Sequence, residues 1–158
     1  MFKKLLFIVL FLLSSYSHGL ANINRLNPLE KALQYNQLHE VHNRKELKTL
    51  LQGIDPVRVP WCGLFIYSMY QDRGIKIKNP ALARNWLSVG KKIEQPRRGD
   101  LVILSRGSTL WQGHIGFFIA DFSIKGIDYI LVYGGNQEDK VTYSVYKKKY
   151  LLGYRRIE

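Results

Sequence analysis

The ten residues Trp61-Cys62-Gly63-Leu64-Phe65-Ile66-Tyr67-Ser68-Met69-Tyr70 are apolar almost all round. A helix without a polar stripe has no face to turn to water, so such a run must sit inside a core with other elements on every side. It follows the proline-punctuated stretch 54–60 and stops at Gly74, which predicts a buried central helix with Cys62 in its first turn. A chain of 158 residues supplies one such core and no second.

The remaining pattern must wrap that helix. Asn27-Pro28 opens a helical pattern running through about Val41, with Leu29, Leu33 and Leu38 on its periodic face. Asn43 with Glu46 has the spacing of a capping box, ahead of a short helix bearing Leu47, Leu50 and Leu51 and ended by Gly53. Asn79-Pro80 starts another helix that stops near Gly90. Beyond the turn Pro96-Arg97-Arg98-Gly99-Asp100, strands are expected over 101–104, 115–120, 129–133, 141–146 and 151–157. Helices first and an antiparallel sheet second predict an α+β domain, N-terminal helices packing on a C-terminal sheet. The expected organisation is a leader over 1–21, an N-terminal helical segment over 22–58 and a core over 59–158. No internal repeat, low-complexity stretch or interdomain linker interrupts it.

Met1-Phe2-Lys3-Lys4, the apolar run from Leu5 to Leu13, and small residues at Ser17, Gly19 and Ala21 read as a secretory signal peptide. Nine clean apolar residues fall short of the ~20 that span a bilayer, so the expectation is cleavage after Gly19 or Ala21 and a periplasmic or extracellular domain with no stable membrane span. Net charge is +12, two of the positive groups, Lys3 and Lys4, leaving with the leader. The basic residues are scattered as Lys91-Lys92, Arg97-Arg98, Lys147-Lys148-Lys149 and Arg155-Arg156, so charge argues for anionic envelope polymers or headgroups as partners and against nucleic acid. The single cysteine excludes an intrachain disulfide and leaves three readings: an inert buried thiol, an intermolecular bridge, or a nucleophile.

Position favours the nucleophile. A thiol at a helix start meets unpaired N–H groups and the positive end of the dipole, which predicts an easily formed thiolate. Of the four histidines His18 belongs to the leader and His39 and His42 to the first helix's polar stretch, which leaves His114, at the mouth of the apolar strand 114–120, as the base. If Ile124-Lys125-Gly126 is a three-residue loop, Ser123 faces Ile127 and His114 faces Asn136, close enough for the amide to orient the ring; a bulge at Gly134-Gly135 shifts this by one. Trp61, Trp111 and Gln112 are weaker candidates for lining a substrate cleft. His39, His42 and Glu46 have nearly helical spacing, but Asn43 interrupts it and no metal site is expected. Tyr143, Tyr146 and Tyr150 with the lysines 147–149 read as a guarded strand edge.

Several spaced blocks resemble one family. Pro60-Trp61-Cys62, the stretch 81–87, Arg98-Gly99-Asp100-Leu101-Val102, Trp111-Gln112-Gly113-His114-Ile115-Gly116-Phe117, Gly134-Gly135-Asn136-Gln137 and Leu152-Gly153-Tyr154-Arg155-Arg156 resemble bacterial and phage cysteine peptidases and amidases of the CHAP and NlpC-like superfamily. The resemblance runs from Val59 to Ile157. It implies a papain-like core, with Cys62, His114 and Asn136 as catalytic triad, no cofactor, and a monomer acting on peptidoglycan. The bond would lie within the peptide stem or join sugar to peptide. Cys62 lacks the Asp-Cys-Ser surroundings usual in NlpC-type enzymes, and the third CHAP residue is often acidic where this chain has Asn136. A wall-binding protein without the chemistry and a secreted cysteine protease or toxin are the alternatives.

Overall fold

The computed structural model describes residues 26–158; the expected leader lies outside them. Three helices, α1 (Pro28–Leu33), α2 (Arg44–Leu50) and α3 (Cys62–Met69), precede six strands: β1 (Lys91–Ile93), β2 (Leu101–Ser105), β3 (Gly113–Ile124), β4 (Ile127–Gln137), β5 (Lys140–Lys147) and β6 (Leu151–Arg156). The strands form one antiparallel sheet in the order β1-β6-β2-β3-β4-β5. The fold is therefore α+β, as the element pattern predicts. β1, with three residues, is too short to show an alternation in the sequence.

α3 is the central helix. Its Phe65, Ile66 and Met69 are buried against Leu101 and Ile103 of β2, Ile115 and Phe117 of β3 and Tyr133 of β4, while Leu29, Ala32, Leu47 and Leu51 of the N-terminal segment join the same cluster. Each large side chain taken out of water contributes about 1.5–3 kcal/mol, so the N-terminal segment shares the core of the 59–158 region. Asp100, buried at the start of β2, accepts from Arg97 N at 2.6 Å and takes both arms of Arg156, at 2.9 and 2.7 Å. More than the turn residue its Gly-Asp context suggests, it ties β6 to β2.

The helices are shorter than the periodicity predicts. α1 starts on a capping box between Asn27 and Glu30 but ends at Leu33 rather than near Val41. Beyond it the chain turns through Gln37 at φ 68°, and Gln37 N donates to Val141 O at 2.7 Å while Val141 N donates to Leu38 O at 2.9 Å. Backbone groups that would have continued the helix are thus taken by the start of β5. The expected capping box at Asn43 does not form: its side-chain oxygen accepts instead from His39 N at 3.0 Å. The helix expected after Asn79-Pro80 is a 3-10 segment, Ala83–Ser88, ahead of Gly90.

Candidate active site

The site lies where β3 and β4 part. Their register runs to Phe117↔Tyr133 and goes no further towards the start of β3. A Cβ on Gly135 would stand 2.3 Å from the Trp61 ring and 2.8 Å from Phe65 Cβ, so only glycine lets β4 pass this close to the start of α3. The Cys62 thiol sits in that gap, facing the backbone N–H of Ile115 on β3 and those of Gly63 and Cys62 at the helix start. Ile115 follows His114 directly, so the thiol and the imidazole share the mouth of β3.

Both groups are almost wholly enclosed, Cys62 at 2% and His114 at 1% exposure. Burial pushes the thiol up from its usual range, against the opposing pull of the three N–H groups and the Arg106 charge. Burial, reinforced by the charge of Arg106, pushes the imidazole down to about 4, the hydrogen bond to Gln137 opposing it. The resting pair at neutral pH is therefore thiol and neutral imidazole. This corrects the thiolate expected from helix position, because desolvation outweighs the helix-start donors.

The residue that holds the ring is Gln137. Its Oε1 lies 3.1 Å from His114 Nε2, and Tyr146 Oη donates to the same oxygen at 3.1 Å. The amide cannot be turned round, because Gln137 Nε2 donates to the carbonyl of Thr142 and, at 3.4 Å, to those of Val132 and Gly134. An accepting Oε1 assigns the proton to Nε2 and leaves Nδ1 as the bare lone pair. Nδ1 is buried without a hydrogen-bond partner and is not bonded to the thiol at rest. Tyr146 also stacks on the imidazole, ring centroids 5.2 Å apart at 28°. Burial pushes its phenol up to about 12, so it remains a donor.

Asn136 does not orient the ring. The β3–β4 loop is the two-residue turn Lys125-Gly126, both at positive φ, with Ser123 opposite Asp128. An irregularity between Phe118 and Ala120 then restores the pairing that a three-residue loop would have given, Phe117 opposite Tyr133. A second irregularity, between Gly134 and Gln137 in the β4–β5 ladder, breaks that count and turns the Gln137 side chain inward. Asn136, at φ 59° and partly exposed, joins the wall of the cleft above Cys62. Gln137 lay within the Gly-Gly-Asn-Gln block, and the slip by one at the glycine pair was the signal for it.

The cleft holds about 810 Å³ and is lined by Val59, Pro60, Leu82, Arg106, Trp111 and Gln112 among others. Trp111 is 61% exposed on its rim, and Arg84 Nε fixes the loop by donating to Gln112 O at 2.7 Å. Trp61 is not part of this wall: it is fully buried and donates from Nε1 to Glu40 Oε2 at 2.9 Å. Arg106, which sequence reading did not single out, is the one charged side chain of the lining and has no salt-bridge partner among the described residues. His39 and His42 stack on each other at 4.6 Å. Among the described residues no three His, Cys, Asp or Glu side chains converge on a cation site.

Comparison with known proteins returned no matching family model, no matching curated protein and no matching solved structure.

Proposed function

We propose that the chain is an exported thiol hydrolase that cleaves an amide bond of peptidoglycan. The observation that carries the chemistry is the buried, unpartnered His114 Nδ1, its tautomer fixed by Gln137, one residue before the Ile115 N–H that faces a thiol at a helix start. A buried polar atom without a partner is uncommon, and here it is the basic atom of a titratable ring that follows Gly113, a wall residue of the substrate-sized cleft that reaches Cys62. A helix that begins at the cysteine and packs on an antiparallel sheet, with the histidine opening a strand, is compatible with the papain-like arrangement that the sequence blocks resemble. Peptidoglycan, the exported location and the choice between stem endopeptidase and N-acetylmuramoyl-L-alanine amidase rest on that resemblance and the leader-like first residues.

Because the resting pair is neutral, deprotonation accompanies attack. His114 Nδ1 takes the proton from Cys62 Sγ as sulfur bonds to the amide carbonyl carbon, and the carbonyl π pair moves to oxygen. N–H groups at the start of α3 offer hydrogen bonds to that oxyanion. Collapse of the intermediate breaks the C–N bond, and the imidazolium returns its proton from Nδ1 to the leaving amine. Water then adds to the thioester, giving a proton to Nδ1. Cys62 leaves as thiolate and recovers that proton, releasing a carboxylic acid. The imidazolium keeps its charge while Nε2–H donates to the Gln137 amide oxygen, whose dipole stabilises it, so Gln137 acts as a positioning residue. These steps use no metal or cofactor.

Purified sacculi and defined muropeptides, digested with wild type and with Cys62→Ala, test the reading. Mass spectrometry should find a new amine and a new carboxylic acid in wild-type digests, with release by Cys62→Ala reduced to background. Undiminished release by that variant refutes the thiol mechanism. Cleavage of a protein panel in place of sacculi would keep the chemistry and reassign the substrate to protein.

A further inference from the structure

Burial along the β3–β4 hairpin ends at Phe118 on one strand and Ile130 on the other, and residues 120–128 are exposed throughout. The cross-strand pairs Phe122↔Tyr129 and Ile124↔Ile127 set four large apolar side chains on one face of this distal part. The Phe122 and Tyr129 rings stack 5.7 Å apart at 20°. On β5, Val145 opposite Leu131 and Lys147 opposite Tyr129 extend the same face. Ile124 at 53%, Val145 at 52% and Ile127 at 44% exposure are large apolar groups left in water at the tip and flank of a sheet.

Charge is sorted across the two faces. Asp121 and Asp128 alternate to the opposite face, where Lys148 Nζ meets Asp121 at 2.9 Å and Ser123 donates to Asp128. The apolar face carries no acidic residue. Lys125 occupies the turn, and a hollow of about 410 Å³ beside Gly126 and Ile127 is lined by Lys147, Lys148 and Lys149, with Asp128 as its one carboxylate. An exposed apolar tip ringed by lysine has the chemistry of the boundary between acyl chains and anionic headgroups.

We propose that the hairpin tip docks on an anionic lipid bilayer, setting Phe122, Ile124 and Ile127 into the interface while Lys125, Lys147 and Lys149 meet lipid phosphates. A second copy of this chain fits the surface less well, because like faces would bring the lysines together. The inference stands apart from the hydrolytic reading and would hold for a chain with no catalysis. Each lysine near an anionic surface strengthens partitioning about fivefold. The exposed isoleucines determine whether attraction becomes insertion.

The test is cosedimentation of residues 22–158, which contain the whole described core, with vesicles of phosphatidylcholine alone and of phosphatidylcholine mixed with phosphatidylglycerol. Wild type should bind the mixed vesicles well above the neutral ones. The double variant Ile124→Ser, Ile127→Ser should lose about tenfold or more, with an unchanged melting curve because both side chains are exposed. In an Ile124→Trp variant, emission should shift to the blue with mixed vesicles relative to wild type. Failure of wild type to cosediment with mixed vesicles overturns the proposal. So does equal binding by the double-serine variant, which would reduce the effect to net charge, or a wild-type dimer in solution that the serines abolish.

Discussion

Lowering the pH tests the neutral state of His114 directly. An unfolded histidine takes up a proton near its ordinary 6.5, whereas in the fold burial and Arg106 delay uptake to about 4. Between those values the unfolded chain binds a proton that the native chain refuses, so stability is intact above pH 6.5 and falls as pH drops towards 4. At 1.36 kcal/mol per pH unit, this single group withdraws about 3 kcal/mol over the window, of which roughly 2 kcal/mol is gone by pH 4.5. Urea slopes of about 1–3 kcal/mol per molar turn that into a midpoint shift on the order of 1 M. Urea unfolding of wild type and of His114→Gln, measured at pH 7 and pH 4.5, isolates the effect, because the glutamine cannot titrate and other acid-sensitive groups are common to both. Wild type should lose about 2 kcal/mol more than the variant. Parallel losses would show that His114 takes its proton at an ordinary pH, and the buried neutral pair would be wrong.

Outcomes at four further positions follow from the geometry. Gln137→Ala leaves the Nε2–H donor buried and unpaired, so it should cost about 1–3 kcal/mol of stability and lower kcat of amide hydrolysis. Gln137→Glu should restore an acceptor and move the acid limb of the pH profile upward, whereas Asn136→Ala should alter KM with kcat nearly unchanged; the reverse split would return the orienting role to Asn136. Arg106→Gln removes a cation that opposes imidazolium, so the His114 titration followed by NMR should move up from about 4, with an unmoved titration counting against Arg106 as a cause. Gly135→Ala forces a methyl group into the Trp61 ring, so denaturant unfolding should show a loss of about 1–3 kcal/mol, and wild-type stability would mean β4 can move aside.

What was legible in the sequence was local. The all-round apolar run fixes α3, its cysteine and its burial because a helix lacking a polar face has one place to go, and His114 stands out because a titratable group opens an apolar strand. The end of α1 was hidden because the groups that stop it belong to Val141 and Asp139, some hundred positions on. Gln137 was hidden for a different reason. Assigning it requires adding the turn length, a bulge near Ile119 and a second bulge beyond Gly134, and each changes the face by one residue. Two of those departures cancel by Val132, so the register counted from the wrong loop is off by one from the turn to Leu131, right at Val132 and Tyr133, and fails again at the residue that matters.

The thiol shows the limit of arguing from position alone. Helix-start donors do face Cys62, but the same packing that aims them, Trp61 against Gly135 and α3 against β3 and β4, also excludes the water a thiolate would need. Under the proposed mechanism, charge separation between Cys62 and His114 has to be stabilised by something that arrives. Arg106 is the charged group of the cleft lining, and its charge disfavours imidazolium while favouring thiolate. A substrate carboxylate pairing with Arg106 would cancel its opposition to imidazolium, raising the basicity of Nδ1 when the cleft is filled. Substrates lacking that carboxylate should then be cut with a lower kcat as well as a higher KM, and the difference should vanish in Arg106→Gln. Equal kcat for the two substrate classes in wild type would separate Arg106 from the proton transfer and leave it a binding group alone.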